Sequence, residues 1–323
     1  MKFFEPLENH LVKVRLQVEL CERGMRLDRL IQKHFQRLSR ERVHKIIDQG
    51  VFLEGQSPLS IRIRAAMRVK EYQCFYWIKS DLIEEERDID IPVIYEDARF
   101  LVLNKPGNLV VHPTASAFRN TVTYWLKQHH PQAKIAHRLD KDTSGVLLCG
   151  KNEWSAYLKA HFRLLKMQKT YIAIVKGVPR FDKCTVDAPL RLDEDCSLKV
   201  KMKVDKINGL PSLTEVEVIA RYANYSVVKC YPKTGRQHQI RVHLWSLGFP
   251  VLGDKLYGVS ESVFKESVDL GITPRVLEAT GAHRHMLHAY ALALVDKTNQ
   301  HFSFVAPLPI DMQHLIPHPS ILG

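Results

Sequence analysis

The apolar positions near the N-terminus follow first the period of a helix and then that of a strand. Four of them lie on one predicted helix face: Leu27, Leu30, Ile31 and Phe35. A second helix is predicted to begin at Ser39, which is a good N-cap, and to end at Gly50. Short strands are predicted over 51–53 and 61–64. Residues 1–79 are therefore interpreted as a small α/β domain.

The second predicted helix has an apolar face and a basic face. Its apolar residues recur at helical spacing: Val43, Ile46 and Ile47. Its cations lie away from that stripe: Arg40, Arg42 and Lys45. We expect this helix to bury the first face and to present the second to solvent or to a ligand.

Strand patterns dominate after residue 90. Apolar runs typical of buried strands occur at 100–103, 109–111, 145–149, 171–175 and 226–230. Helical patterns lie near 154–165 and 237–247. Many strands with fewer helices indicate the α+β class, with a mixed and mainly antiparallel sheet.

Charge separates the two regions and indicates the kind of partner. The 323 residues carry a formal net charge of +12, and residues 11–79 hold 15 Lys/Arg against 7 Asp/Glu. The acidic stretch 80–90 follows and is interpreted as a linker to a second domain over 91–323. An excess of cations suits a polyanion such as RNA. A basic, solvated surface without a ligand is the alternative.

The six cysteines and the absence of long apolar runs indicate the compartment. The cysteines are scattered and form no C-x-x-C pair, so they are interpreted as reduced thiols. The first residues lack the apolar run of a signal peptide, and no window is apolar for the roughly 20 residues that a membrane span needs. We expect a cytoplasmic monomer.

One polar loop before a buried strand carries two neighbouring acids. Residues 137–145 read HRLDKDTSG, with Asp140 and Asp142 just ahead of the apolar run 146–149. Such a loop can hold a carboxylate at the rim of a cleft. The alternative is a surface loop whose aspartates cap backbone amides. The residues alone favour the surface loop.

Two further segments carry candidate chemistry. Tyr171 begins an apolar strand, where it could stack on a base, manage a proton or simply pack. Arg236 and Arg241 could pair with a carboxylate or with phosphates. The histidines near residues 238–243 and 283–288 lack a convincing set of metal ligands, and no Gly-rich phosphate loop is present. We therefore expect neither a metal nor a cofactor.

The motifs of residues 104–294, in this order, resemble the RluA family of pseudouridine synthases. They are NKPGNLVVHP, HRLDKDTSGVLLCGKN, KTYIAIVKG, KTGRQHQIRVHL, GFPVLGDKLYG and RHMLHAYALAL. The segment RLDRLIQKHFQRLSRERVHKIIDQGVFLEG resembles a small RNA-binding module first described in a small-subunit ribosomal protein. The resemblance implies an isomerase that converts uridine in RNA to pseudouridine. It favours ribosomal RNA of the large subunit, with transfer RNA as the alternative.

The resemblance also implies roles for single residues. Asp140 matches the catalytic aspartate, Tyr171 the tyrosine that stacks on the target base, and Arg236 the arginine that pairs with the aspartate. Arg138 matches an arginine thought to fill the space left by the extruded nucleotide, and Leu287 lies in a hydrophobic motif near the pocket. The remaining cations predicted to bind the substrate are Arg241, Arg40, Arg42 and Lys45.

Departures from the family pattern leave that catalytic set intact. Asn108 stands where glycine is common, and asparagine tolerates the left-handed conformation. Phe249 replaces a frequent histidine, which bears on substrate preference. Two other functions remain open at this stage: a non-catalytic RNA-binding factor of ribosome assembly, and a glycosylase that releases free uracil.

Overall fold

The structure is a computed structural model that divides into two units. It describes residues 2–6, 12–35, 40–56, 63–79, 88–114, 117–196 and 200–316. The N-terminal unit comprises residues 1–87 and 113–120, and the C-terminal unit comprises residues 88–112 and 121–323. The division after residue 87 falls within the predicted linker, of which residues 80–87 lie outside the described part.

Two helices and a four-stranded antiparallel sheet form the N-terminal unit. In chain order its elements are β1 (Lys2–Pro6), β2 (Val12–Gln17), α1 (Leu27–His34), α2 (Arg40–Gly50), β3 (Val51–Leu53) and β4 (Cys74–Lys79). The strand order is β1-β2-β4-β3. In the pairing of β2 with β4, Leu16 lies opposite Phe75 and Val14 opposite Trp77. All four side chains are buried, so they lie on the same covered face of the sheet.

Both predicted helices of this unit are confirmed, and one strand prediction is not. Helix α1 buries Leu27, Leu30 and Ile31, as their spacing indicated. Helix α2 ends at Gly50, but its predicted N-cap, Ser39, lies outside the described residues. A strand was predicted over 61–64. Residues 61 and 62 lie outside the described residues, and residues 63 and 64 form no regular strand.

A ten-stranded mixed sheet forms the centre of the C-terminal unit. The elements are β5 (Val93–Glu96), β6 (Phe100–Lys105), α3 (Val122–His129), β7 (Ala133–Ile135), β8 (Ser144–Lys151), α4 (Trp154–Arg163), β9 (Gln168–Lys176), β10 (Lys183–Asp187), β11 (Leu190–Leu192), β12 (Met202–Val204), β13 (Leu213–Arg221), β14 (Tyr225–Pro232), α5 (Gln239–Ser246), α6 (Glu261–Asp269), α7 (Pro274–Thr280), β15 (Leu287–Val295), β16 (His301–Val305) and α8 (Ile310–Gln313). The main path is β10-β13-β14-β9-β15-β8-β6-β5; β16 pairs with β15, β7 pairs with β8, and β11 and β12 form a separate ribbon. The α+β prediction is confirmed.

One predicted strand of this unit is wrong. Residues 109–111 form no regular strand, although Val110 makes an isolated bridge to Thr121. The turn before them contains Asn108 in the left-handed conformation, with φ of 61°, as its sequence position indicated. That turn directs the chain to the loop before β8, where the Leu109 N–H donates to the Lys141 carbonyl. The apolar run is buried without being a strand.

The centre of the sheet brings distant motifs together. Strand β15 runs parallel to β8 and antiparallel to β9, so Ala289 lies between Gly145 and Tyr171. A Cβ on Gly145 would lie 2.2 Å from the Ala289 carbonyl oxygen, and φ at Gly145 is 107°. Only glycine meets both conditions. The loop before β8 and the first half of β9 are therefore neighbours.

The described residues include no helix that is long and apolar enough to cross a membrane.

Candidate active site

The loop before β8, residues 136–143, is held from both sides by side chains of distant segments. The imidazole of His137 stacks on Phe162 at 4.3 Å, and its Nε2 accepts a hydrogen bond from the Leu148 N–H at 3.1 Å. Burial lowers the pKa of His137 to about 3, so the ring is neutral and can accept. On the other side, Thr143 Oγ1 and His285 Nε2 are 2.8 Å apart. The loop therefore has a defined position relative to the sheet.

The two acids of this loop have different surroundings. Asp142 is paired with Lys255, whose Nζ lies 2.7 Å from its Oδ2. Asp140 instead lines a cavity of about 350 Å³, with 29% of its side chain exposed. The side chain of Asp142 therefore binds a lysine and that of Asp140 lines a cavity, whereas the alternative interpretation had both side chains only capping backbone amides. Asp140 is the acid that a ligand can reach.

Asp140 is held by a buried arginine that is itself paired with a second, buried aspartate. Arg241, in the first turn of α5, donates from Nη1 to Asp140 Oδ2 at 2.9 Å. The same guanidinium binds Asp254 through two hydrogen bonds, from Nε at 2.6 Å and from Nη2 at 2.9 Å. Arg241 and Asp254 are both buried. This paired geometry fixes the plane of the guanidinium and therefore the position of the Asp140 carboxylate.

Charges around Asp140 favour its ionised form. Burial works to raise the pKa of Asp140, but the charges of His238, Arg241 and Arg138 and the hydrogen bond from Arg241 outweigh burial and hold that pKa below its ordinary value. Burial in turn lowers the pKa of His238 to about 4, so its ring is neutral near pH 7. Arg241 and Arg138 are then the cations that keep Asp140 ionised.

His238 and Tyr257 form a second contact network beside the carboxylate. His238 has φ of 55°, and its Nε2 lies 3.9 Å from Asp140 Oδ2. Its Nδ1 is 2.9 Å from the hydroxyl of Tyr257, which also accepts from the Met202 N–H at 2.9 Å. The Tyr257 ring also lies 5.1 Å from the Arg241 guanidinium. The sequence pattern indicates His238 only as a candidate metal ligand and gives no signal for this contact with Tyr257.

The walls of the cavity are aromatic, apolar and basic. Tyr171 of β9 and Leu287 of β15 line it next to Asp140. Burial first, and then the charge of Asp140, raise the pKa of Tyr171, so its hydroxyl is protonated near neutral pH. Lys169 also lines the cavity; burial lowers its pKa to about 8, and its Nζ donates to the Thr234 carbonyl at 2.8 Å. An aromatic face and cations together suit a nucleotide.

The structure places Arg236 differently from the sequence prediction. Arg236 lines the cavity, but its Nε donates to the Pro211 carbonyl at 3.1 Å. The guanidinium that contacts Asp140 belongs to Arg241. The prediction that Arg236 pairs with Asp140 is therefore wrong, because Arg236 precedes the left-handed turn at residue 238 and is exposed, whereas Arg241 lies inside α5 and is buried.

The other predicted residues fall into two groups. Arg138 is exposed and lines the cavity together with Asp140, Tyr171 and Leu287. The N-terminal cations lie on α2, where Arg40 and Lys45 are exposed; the side chain of Arg42 lies outside the described part. Asp254 was missed, since its only signal was an acid within the turn-rich stretch 248–258.

Comparison with known proteins identifies the class to which this fold and site belong. A family model described as RNA pseudouridylate synthase matches residues 99–246. A ribosomal large subunit pseudouridine synthase D of Zymomonas mobilis is 33% identical over 317 residues, covering 93% of this chain and 96% of that relative. A protein of the same name in Borreliella burgdorferi is 31% identical over 93% of this chain and 91% of its own length.

Solved structures agree with the sequence relatives. Human RNA pseudouridylate synthase domain containing 1 matches with a TM-score of 0.56 at 26% identity, covering 72% of this chain and 86% of that chain. This chain belongs to the RNA pseudouridylate synthase family. It is an RNA pseudouridine synthase, an isomerase.

Proposed function

We propose that this enzyme converts specific uridines of large-subunit ribosomal RNA to pseudouridine, with Asp140 as the catalytic carboxylate. The observation that carries the residue assignment is an ionised, partly exposed aspartate held by Arg241 beside the ring of Tyr171. The names of the relatives support the choice of RNA. The cytoplasm as location and a monomeric state belong to the same proposal.

The reaction rearranges one nucleotide and needs no second substrate. The bond between C1′ and N1 breaks, the uracil turns, and a bond forms between C1′ and C5. The proton on C5 is lost and N1 gains one, so the product is an isomer. Asp140 acts either as a nucleophile at C1′ or as the base that removes the C2′ proton. Both routes need its ionised form, which Arg241 favours.

The target uridine has to leave its stack before Asp140 can reach the sugar. Arg138 is exposed at the cavity next to Asp140, and we propose that it occupies the space of the extruded nucleotide. Its planar guanidinium can stack on the neighbouring bases. Tyr171 then holds the uracil face-on within the cavity.

Substitution of Tyr171 separates its ring from its hydroxyl. We expect Tyr171→Phe to bind substrate RNA like the wild type, because the stacking face is kept. Tyr171→Leu should weaken binding by about 5- to 150-fold, since base stacking on an aromatic ring contributes roughly 1–3 kcal/mol. The dissociation constants of both variants are measured at equilibrium in protein that also carries Asp140→Asn, so that the RNA is not converted during the measurement. Equal losses in the two variants would show that the ring does not stack on the base.

The basic face of α2 is predicted to dock the RNA by contacting phosphates. We expect Arg40→Ala combined with Lys45→Ala to weaken RNA binding and to reduce the slope of log Kd against log salt by about two, since each phosphate contact contributes about one. The rate at saturating RNA should stay unchanged. Gln49→Ala, also exposed on α2, is the matched control. An unchanged slope in the double variant would exclude α2 from RNA docking.

The decisive experiment maps pseudouridine in ribosomal and transfer RNA from cells with and without this gene. If sites in large-subunit ribosomal RNA vanish and return with the intact protein but not with Asp140→Ala, the proposal stands. Loss of transfer-RNA sites alone would overturn the choice of RNA, and no lost site would favour the assembly-factor alternative. Assay of free uracil after incubation with RNA tests the glycosylase alternative.

A further inference from the structure

Two exposed leucines follow the helix that borders the active-site cavity. Leu164 and Leu165, named here the leucine tip, come directly after α4 and have 60% and 49% of their surface exposed. The residues just before them, Phe162 and Arg163, line the cavity. Phe162 also stacks on His137 of the loop that carries Asp140. The leucine tip therefore follows directly on two residues that line the cavity.

The backbone of the leucine tip adopts a conformation that leucine disfavours. Leu165 has φ of 58°, and its N–H donates to the Phe162 carbonyl while the Lys166 N–H donates to the His161 carbonyl. This pattern ends many helices, and glycine usually occupies the position that Leu165 holds here. A left-handed leucine costs about 1–2 kcal/mol. Neither burial nor backbone preference explains this residue, which points to a contact outside the chain.

Cations surround the leucine tip. Arg163 and Lys166 flank it in sequence and are both exposed. An apolar tip between cations, beside a cavity for a nucleotide, suits the exposed base faces and the phosphates of RNA.

We propose that the leucine tip contacts the bases next to the target uridine and stabilises their unstacked state. Extrusion of the uridine leaves the faces of its neighbours exposed, and an apolar side chain can cover them, as apolar wedges do in bent duplexes. Arg163 and Lys166 hold the adjacent phosphates. This inference rests on the proposed function and assigns to it a second contact with the RNA, separate from the cavity.

The salt dependence of binding tests the inference. The probe is a stem-loop RNA cut from a site that the mapping experiment identifies, and the protein is the full chain. We expect Leu164→Ser combined with Leu165→Gly to raise Kd about tenfold at every salt concentration, because the lost contact is apolar and releases no counterions. Arg163→Gln should instead reduce the salt slope by about one. The rate at saturating RNA should change less than threefold in the leucine variant.

The controls separate the leucine tip from general effects. Glycine at position 165 relaxes the left-handed backbone, so thermal stability should not fall. Leu270→Ser removes a more exposed leucine, with 74% of its surface accessible, that follows α6, a helix with no residue lining the cavity; this variant should bind like the wild type. Binding by the leucine-tip variant that equals this control would overturn the inference. So would a changed oligomeric state with unchanged RNA affinity, which would indicate a contact between copies of the chain. Because wild-type turnover on the same RNA is measured in parallel, a failure of the proposed function would be recognised separately.

Discussion

Asp140→Asn is expected to abolish isomerisation, by about a thousandfold or more, while the affinity for RNA remains. Both routes open to Asp140 use its negative charge, and the loss of a catalytic carboxylate commonly costs about 10²–10⁴-fold or more. Affinity should be equal or slightly higher, because the variant removes an anion that faces a polyanion. Pseudouridine formation under single-turnover conditions and equilibrium binding measure the two effects.

The neighbouring acid supplies a matched control for Asp140→Asn. Asp142→Asn makes the same chemical change two residues away, on a carboxylate that is paired with Lys255. We expect less than a tenfold loss of turnover from it. The fold should survive Asp140→Asn, because Arg241 keeps both hydrogen bonds to Asp254. Substantial turnover by Asp140→Asn, or equal inactivation by Asp142→Asn, would remove Asp140 from its assigned role.

Arg241→Met is expected to damage both stability and catalysis. It leaves the carboxylate of Asp254 buried without its cation, although the N–H groups of Leu256 and Tyr257 still donate to it. Loss of one partner from a buried pair typically costs about 3–5 kcal/mol of unfolding free energy. Chemical denaturation measures this loss, and an unchanged midpoint would show that the pair contributes little.

A second substitution separates the two effects of Arg241. Arg241→Met combined with Asp254→Leu removes both buried charges and should recover much of the stability, since a buried pair can be replaced by apolar residues at little cost. Turnover should not recover, because Asp140 still lacks its cation. Recovery of turnover in the double variant would show that Arg241 acts only on folding.

The pH dependence follows from the direction of the Asp140 shift. Its pKa is depressed in the folded protein, so its contribution to stability is present above the unfolded pKa and is lost as pH falls through the folded pKa. Turnover should fall on the same acidic side, where Asp140 becomes protonated. In variants without Arg241 the acidic limb should move to higher pH. A pH profile of single-turnover rates measures this shift.

Much of the architecture could be predicted from local periodicity. The apolar runs that became β6, β8, β9 and β14, and the helical stretches that became α1, α2, α4 and α5, carry their own signal in neighbouring residues. The run at 109–111 shows the limit of that signal. Its apolar side chains are buried, but a left-handed Asn108 and a hydrogen bond to Lys141 direct the chain away from the sheet.

For the candidate active site, the sequence motifs identified most of the residues, but the structure decided which of them pair. The HRLD and TSG segments identified Asp140, and the resemblance supplied Tyr171 and Leu287, all of which line one cavity. The partner of Asp140 was assigned to Arg236, and the structure gives that place to Arg241. Both arginines belong to one motif, so their identity alone could not decide between them.

The sequence by itself determined many of the helices and strands, the loop that carries the proposed catalytic acid, and the family. Only the tertiary structure decided that Asp140 is reachable while Asp142 is paired, that Arg241 holds Asp140, and that Asp254 holds Arg241. The physical reason is the range of the contacts. Periodicity and motifs act between residues close in the chain, whereas Asp140, in the loop before β8, and Arg241, in α5, are 101 residues apart and are brought together by the fold.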